Sequence, residues 1–258
     1  MTRRTPLLLA VLPLLLGALA VPSTAHAVVD HDRRATARPK VGTYEGTFGP
    51  KGQKSAFSLD VVKRKGGLSV SRAVVFYRCG NDTEGEEGYT TYTRVKVRKG
   101  RFSKSSIVDI AGRFTSRTKV RGSANPAPGL FGCKGKPKPF SATWVGPTAS
   151  RGGTFAGTDA TGAPVSFVLE AGGKVLDDLA VTRKLVCGTH SYGDLSSFGR
   201  SLVHHDGSVS HTFLDDFYPA TFTYSVALDP AGGASGSYRV SGPECDTGDV
   251  PFTAAKAG

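Results

Sequence analysis

An internal repeat constrains the fold of this chain more than any other feature. Gly42-Thr43-Tyr44-Glu45-Gly46 recurs as Gly153-Thr154-Phe155-Ala156-Gly157, and Cys133-x6-Phe140-Ser141-Ala142 recurs as Cys245-x6-Phe252-Thr253-Ala254. Runs ending in Cys79-Gly80 and Cys187-Gly188 also match, so the copies lie 111, 108 and 112 residues apart at the three motifs. Such a spacing is a common domain size. The repeat predicts a tandem duplication, with homologous domains at 41–146 and 153–258 joined by a short linker.

Apolar residues alternate with polar ones along both copies. Phe57, Leu59 and Val61 alternate with Ser58 and Asp60, and the run Ala56-Phe57-Ser58-Leu59 matches Ser166-Phe167-Val168-Leu169 in the second copy. A period of two is typical of strands with one face toward a core. Turn sequences recur about every eight to twelve residues. The sequence therefore predicts an all-β fold, with each copy forming a β-sandwich or a flattened β-barrel.

The N-terminus has the pattern of a secretory signal peptide. Arg3 and Arg4 precede an apolar run from Pro6 to Val21, and Ala25-His26-Ala27 has the A-x-A form of a cleavage site. We expect cleavage after Ala27, which makes residues 1–27 the signal and predicts a secreted protein, by either the general or the twin-arginine route. Residues 28–40 are expected to form a flexible basic arm, and no integral membrane segment is expected after cleavage.

The four cysteines allow three pairings. Duplication favours one bond in each copy, Cys79 with Cys133 and Cys187 with Cys245, which closes loops of similar length. A zinc site is disfavoured because no pair has C-x2-C spacing and because cysteines of exported proteins normally oxidise. No cofactor is expected.

Charge is distributed unevenly between the copies. Residues 28–150 contain 24 Lys plus Arg against 9 Asp plus Glu, a net of +15, whereas residues 151–258 contain 7 against 12, a net of −5. A domain with this excess of positive charge attracts anionic partners. The first domain is therefore the expected ligand-binding half.

The densest basic segment is the predicted hairpin from Tyr92 to Lys104. A two-residue turn at Lys99-Gly100 pairs Arg98 with Arg101 and places Arg94, Lys96, Arg98 and Arg101 on the outward face. Tyr89 or Tyr92 could stack nearby. We expect this face to bind an acidic cell-envelope polymer, and the alternative is a solvated strand face with a role in solubility.

Histidines are concentrated in the second copy. A two-residue turn at Asp206-Gly207 places His205 opposite Ser208 and His204 opposite Val209, so that His204 and His211 share a face. This pair is the candidate site for the alternative functions, a secreted hydrolase or a metal-binding protein. Alignment with the basic hairpin places His204 at the position of Val97 and His211 at that of Lys104, which favours a partly buried structural role for His204 and a place at the rim for His211. The chain contains no nucleophile-elbow, zinc-protease or phosphate-loop motif, which disfavours an enzyme.

The order G-x-[YF]-x-G, alternating apolar strand, strand ending in Cys-Gly and C-x6-F-[ST]-A resembles the small disulfide-bonded β-domains of uncharacterised exported bacterial proteins. The resemblance extends over residues 41–256 and implies a fold and an exported location, but it carries no functional residues. We therefore expect a secreted, non-catalytic binding or structural module. Its expected partner is an acidic polymer or another exported protein, and in the latter case the chain acts as an inhibitor or interaction protein.

Overall fold

The protein is all-β, as the sequence predicts. A computed structural model describes residues 37–49, 55–78, 87–128, 135–149, 151–187, 190–192, 199–214 and 220–257. Within these ranges every regular element is a strand. The described residues accordingly include no helix that is long and apolar enough to cross a membrane.

The first sheet is a meander of eight antiparallel strands. They are β1 (Gly42–Phe48), β2 (Ser55–Arg64), β3 (Gly67–Arg78), β4 (Glu87–Lys96), β5 (Arg101–Lys104), β6 (Val108–Phe114), β7 (Lys119–Pro126) and β8 (Lys138–Gly146). Their order is β4-β3-β2-β1-β8-β7-β6-β5, and the two edge strands are linked by a bridge between Arg98, just after β4, and Arg101 of β5. The sheet therefore curves into a nearly closed up-and-down barrel, the first barrel.

The second sheet repeats this architecture. Its strands are β9 (Gly153–Asp159), β10 (Pro164–Glu170), β11 (Val175–Val181), β14 (Ser201–Leu202), β15 (Ser208–Leu214), β16 (Thr221–Leu228), β17 (Gly233–Gly242) and β19 (Val250–Lys256), with β18 (Cys245–Asp246) beside β17. A separate hairpin consists of β12 (Leu185–Cys187) and β13 (His190–Tyr192). The strand order of this sheet is β14-β11-β10-β9-β19-β17-β16-β15, which is the same topology as that of the first sheet. We call this second, nearly closed sheet the second barrel.

The glycine that ends each G-x-[YF]-x-G motif lies where two strands approach closely. A Cβ atom on Gly46 would lie 1.9 Å from the Ser141 carbonyl oxygen of β8. A Cβ atom on Gly157 would lie at the same distance from the Thr253 carbonyl oxygen of β19. The repeated glycine thus marks the same contact in both barrels, between the first strand and the last.

One predicted equivalence between the copies is wrong by two residues. Phe57 lies opposite Gly46, and the residue opposite Gly157 is Val165, whereas Phe167 lies opposite Phe155. The connection from β1 to β2 contains six residues, and the one from β9 to β10 contains four. Because the second connection is two residues shorter, Phe57 of β2 is structurally equivalent to Val165 of β10 and not to Phe167.

Side chains fill both barrel interiors, as expected for eight strands. Phe57 and Phe140 stack with 4.2 Å between ring centroids, and Phe155 and Phe167 stack at 4.8 Å. Tyr44 is fully buried, and its hydroxyl lies 2.9 Å from the carbonyl oxygen of Lys40 and 2.7 Å from that of Arg117. Burial of each Phe contributes about 1.5–3 kcal/mol, so the cores dominate the stability.

A third apolar cluster joins the outer surfaces of the barrels. Val74 and Phe76 of β3 pack against Val175 and Leu202 of the second barrel. Ser58 and Asp60, predicted to face solvent, are buried instead, because the second barrel covers the outer face of β2. The described residues of the segment 36–258 consequently form one compact unit, and separate folding domains at 41–146 and 153–258 stay a prediction.

The predicted signal peptide and residues 28–36 lie outside the described residues. The described end of the predicted arm contacts the first barrel. The Lys40 amide donates a hydrogen bond of 2.8 Å to the Arg117 carbonyl, and its ammonium lies 3.2 Å from the ring centroid of Trp144.

Candidate anion-binding face

The hairpin that carries the predicted basic residues has the expected turn. The Arg98 amide donates to the Arg101 carbonyl at 2.8 Å, and the Arg101 amide donates to the Arg98 carbonyl at 2.9 Å. Lys99 and Gly100 have φ angles of 47° and 68°, which a type I′ turn requires. The dipeptide Lys99-Gly100 thus sets which side chains point outward.

The four predicted binding residues, Arg94, Lys96, Arg98 and Arg101, are exposed. Val95 and Phe102 are buried in the core, so the side chains of the hairpin point outward and inward as the alternation predicts. Arg94 has a φ of 58° where the pairing of β3 with β4 is irregular. Their role in binding stays a prediction.

The fold extends this set into a row across four neighbouring chain segments. Arg98 lies opposite Arg101, Arg101 opposite Arg113 on β6, and Arg113 opposite Arg121 on β7. Directly opposed residues of antiparallel strands point to the same face. We call Arg98, Arg101, Arg113 and Arg121 the arginine row.

Sequence reasoning missed Arg113 and Arg121. Their neighbours carry the signal that could have found them: Phe114 and Val120 are apolar and face the core, which leaves the adjacent arginines outward. Bringing both arginines beside Arg101 also requires the meander order of β5, β6 and β7.

The second barrel provides an internal comparison. Pairing with Phe140 and Phe252 makes Gly122 and Gly236 equivalent, so Arg121 corresponds to Ser235. By the same ladders Arg113 corresponds to Ala227 and Arg101 to Ser208. The same strand arrangement therefore forms without arginines at these positions.

Neither tyrosine that was expected beside the basic face presents its ring there. Tyr92 is buried, and its hydroxyl donates to the Val108 carbonyl. Tyr89 donates to Glu170 of the second barrel at 2.7 Å and stacks on Phe76. Burial, followed by the bond to Glu170, raises the pKa of Tyr89 to about 12.

The barrels meet on a different surface from the arginine row. Lys174, next to β11, forms a buried ion pair of 3.0 Å with Asp60 of β2 and donates to the Ser58 hydroxyl at 2.9 Å. Thr43 also donates to Asp60, at 2.7 Å. Contact between the barrels therefore leaves the side chains of the row exposed or partly exposed.

The predicted turn in the histidine hairpin is wrong. The His204 amide donates to the Ser208 carbonyl, and the Gly207 amide donates to the His204 carbonyl, both at 2.9 Å. The loop has three residues with Gly207 at a φ of 92°, so His204 lies opposite Ser208 and not Val209. A glycine in this conformation accommodates a bulge that the two-residue turn lacks.

The two candidate histidines have different surroundings. His204 Nδ1 lies 3.4 Å from Glu45 Oε2 of the first barrel. The hydrogen bond to Glu45 raises the pKa of His204, against the opposing effect of partial burial. His211 lies against the rings of Phe213 and Tyr224, with centroids 5.9 and 5.8 Å away. Among the described residues no group of three or more His, Cys, Asp or Glu side chains could hold a metal ion.

Cys79 and Cys133 lie outside the described residues. Strand β18, which begins at Cys245, contacts β12, which ends at Cys187. The pairing within each copy stays a prediction.

The solved structures that are similar to the chain include the following two, while no protein-family model and no curated protein matches it. One is a candidate outer membrane protein of Bacteroides fragilis, with 12% identity and a TM-score of 0.28 over 84% of this chain and 97% of that one. The other is a protein of unknown function from Nostoc punctiforme, of the DUF3598 family, with 12% identity and a TM-score of 0.27 over 84% and 96%. Neither similarity is close enough to bear on function.

Proposed function

We propose that the protein is an exported, non-catalytic binding module that holds an acidic polymer on its first barrel. The observation that carries the proposal is the arginine row. Like charges placed directly opposite one another on neighbouring strands destabilise a sheet. Because the second barrel has Ser208, Ala227 and Ser235 at the equivalent positions, the fold itself does not require arginines there. Such a cluster of positive charge on one outward face attracts an anionic ligand.

Arginine suits this role chemically. Its planar guanidinium presents several N–H donors in a fixed fork that binds carboxylates and phosphates, and it stays charged at any physiological pH. A row of such groups attracts a polyanion over a distance and releases its counterions on binding. Affinity for the polymer should therefore fall steeply with salt.

Export and duplication belong to the same proposal. Export is supported by the signal-like pattern of residues 1–27, and the mature protein is expected to begin at Val28. Duplication is supported by the shared strand order and by the matched contacts of Gly46 and Gly157. After duplication, only the first copy would have acquired the arginine row.

The test is a binding titration of the full chain against polygalacturonate, polyphosphate and single-stranded DNA over a salt series. The variant Arg113→Ala/Arg121→Ser copies the second barrel, and we expect it to bind the best of these polymers about tenfold more weakly at low salt. The slope of the logarithm of its affinity against the logarithm of the salt concentration should be less steep by about 1.4, which corresponds to the loss of two ionic contacts. The matched control Lys184→Ser/Lys256→Ser loses the same charge from exposed sites on the second barrel and should bind like wild type.

Two results would contradict the proposal: no binding of any polymer at low salt, or equal losses in the two variants. Absence of polymer binding would favour the alternative partner, an acidic surface of another exported protein.

A further inference from the structure

The arginine row runs across the strands and not along one of them. Neighbouring strands lie about 4.8 Å apart, so the four arginine positions repeat at about that interval around the girth of the barrel. A chain that meets every arginine must therefore carry one anionic group at about this spacing. One sugar residue of an extended polysaccharide has a similar length.

Beside the row lies a parallel strip of small side chains. Two residues along each strand from Arg101, Arg113 and Arg121 are Ser103, Ala111 and Ser123, which pair in the same order. Ser103 and Ala111 are exposed and Ser123 is partly exposed. Long arginines next to short side chains form a step, and we call Ser103, Ala111 and Ser123 the shelf.

No Phe, Tyr or Trp among the described residues is fully exposed for stacking on the bases of a single-stranded nucleic acid, and Tyr89, Trp144 and Phe213 are only partly exposed. Proteins that bind them without sequence preference stack the bases on aromatic side chains. The large hydrophobic residues exposed in the described part of the chain are all aliphatic, namely Val41, Ile107, Val145, Val168 and Leu214. A polymer without bases therefore fits the face better.

Duplex DNA fits poorly for a mechanical reason. The outer surface of a barrel is convex, and the row follows its curvature around the girth. A duplex has a persistence length of about 50 nm, so it stays nearly straight and contacts a small convex surface over a short stretch only. A flexible single chain can follow the row over all four arginines.

We propose that the ligand of the arginine row is a linear polyuronate, an acidic polysaccharide with one carboxylate on each sugar. This inference rests on the proposed function. The chain lies across β5, β6 and β7 on the shelf, and successive carboxylates accept hydrogen bonds from Arg121, Arg113, Arg101 and Arg98. The hydroxyls of Ser103 and Ser123 face the sugar hydroxyls.

The first experiment measures affinity of the full chain for oligogalacturonates of two to eight sugars at low salt. We expect the affinity to rise about threefold to fivefold with each sugar up to four, because each adds one exposed ion pair, and less than twofold per sugar thereafter. A steady rise through eight sugars, or equal binding of fully methyl-esterified oligomers, would overturn the inference.

The second experiment separates polyuronate from other polyanions. Ala111→Phe leaves the charge unchanged and blocks the shelf, so it should weaken binding of the four-sugar oligomer at least fivefold and leave polyphosphate binding unchanged. The matched control is Ser225→Phe, at the equivalent exposed position of the second barrel, which should change neither.

The outcomes distinguish the inference from the proposed function. If polyphosphate or single-stranded DNA of equal charge binds as tightly as oligogalacturonate, the polyuronate inference is wrong and the polyanion function stands. If no polyanion binds at low salt, both are wrong.

Discussion

Lys174 of the second barrel and Asp60 of the first form an ion pair of 3.0 Å, with side chains only 8% and 1% exposed. Asp60 also accepts a hydrogen bond from Thr43, and the Lys174 ammonium donates to Ser58. The desolvation cost of two buried charges is offset only when both have such partners. Loss of either partner would therefore leave an uncompensated buried charge at the contact between the barrels.

Lys174→Met should destabilise the protein by about 3 kcal/mol, because it leaves the Asp60 carboxylate buried without its cation. Adding Asp60→Asn should recover most of the loss, since the buried charge is removed. Chemical denaturation measures both, with the exposed Lys184→Met as control. A loss of stability in Lys174→Met no larger than in the control would show that the pair does not support the interface.

The contact between His204 and Glu45 should make stability depend on pH near neutrality. Glu45 raises the folded pKa of His204 above its usual value of about 6.5, so the stabilisation is complete below that pH and disappears as the pH rises through the folded pKa. His204 is 48% exposed, and solvent screening limits the effect to a few tenths of a kcal/mol.

The measurement is the difference in unfolding free energy between wild type and His204→Asn from about pH 5.5 to about pH 8.5. We expect the wild-type advantage to shrink toward the alkaline end. A constant difference would contradict the assignment. His205, which lies 2.8 Å from the Pro147 carbonyl, serves as the neighbouring control through His205→Asn.

Gly46→Ala should cost about 3 kcal/mol or more, because its Cβ would overlap the Ser141 carbonyl oxygen at 1.9 Å and push β1 from β8. Gly157→Ala should have a similar effect in the second barrel. The control is Gly66→Ala, where a Cβ would have no atom within 4 Å. Thermal melting compares the three variants, and a Gly46→Ala melting temperature equal to that of the control would refute this account.

Alkaline unfolding should be linked to Tyr44 and Tyr89. Burial raises the pKa of each hydroxyl to about 12, so their neutral forms stabilise the fold below the ordinary value near 10 and this contribution is lost between about pH 10 and about pH 12. Ultraviolet absorbance titration should show a late-titrating set that includes Tyr44, Tyr89 and Tyr238, whose pKa burial also raises, and Tyr89→Phe should remove one member of it. Titration of every tyrosine near pH 10 in the folded protein would be the contrary result.

Peptide mapping under non-reducing conditions should find Cys187 linked to Cys245 and Cys79 linked to Cys133. The proximity of β12 and β18 supports the first pair. Cys187→Ser should lower stability by about 2–5 kcal/mol if its loop is closed by that bond. A peptide that joins the two copies would show a different connectivity.

Local pattern was sufficient to predict much of the fold. The alternation around Phe57 and Val95 identified strands and their inward faces, and Lys99-Gly100 identified a turn whose register follows from its two residues. Asp206-Gly207 misled the prediction because the same dipeptide also suits a three-residue loop with a bulge at Gly207. Which loop forms depends on the strands around it.

The sequence by itself determined the all-β class, the repeat and the excess of positive charge in the first copy, because these depend on residue type and on spacing along the chain. Only the tertiary structure decided that Ser58 and Asp60 are buried and that Arg113 and Arg121 stand beside Arg101. Burial of an outward strand face depends on what packs against it, here the second barrel. Neighbours across a sheet depend on strand order, and no local pattern encodes contacts between residues so far apart in the chain.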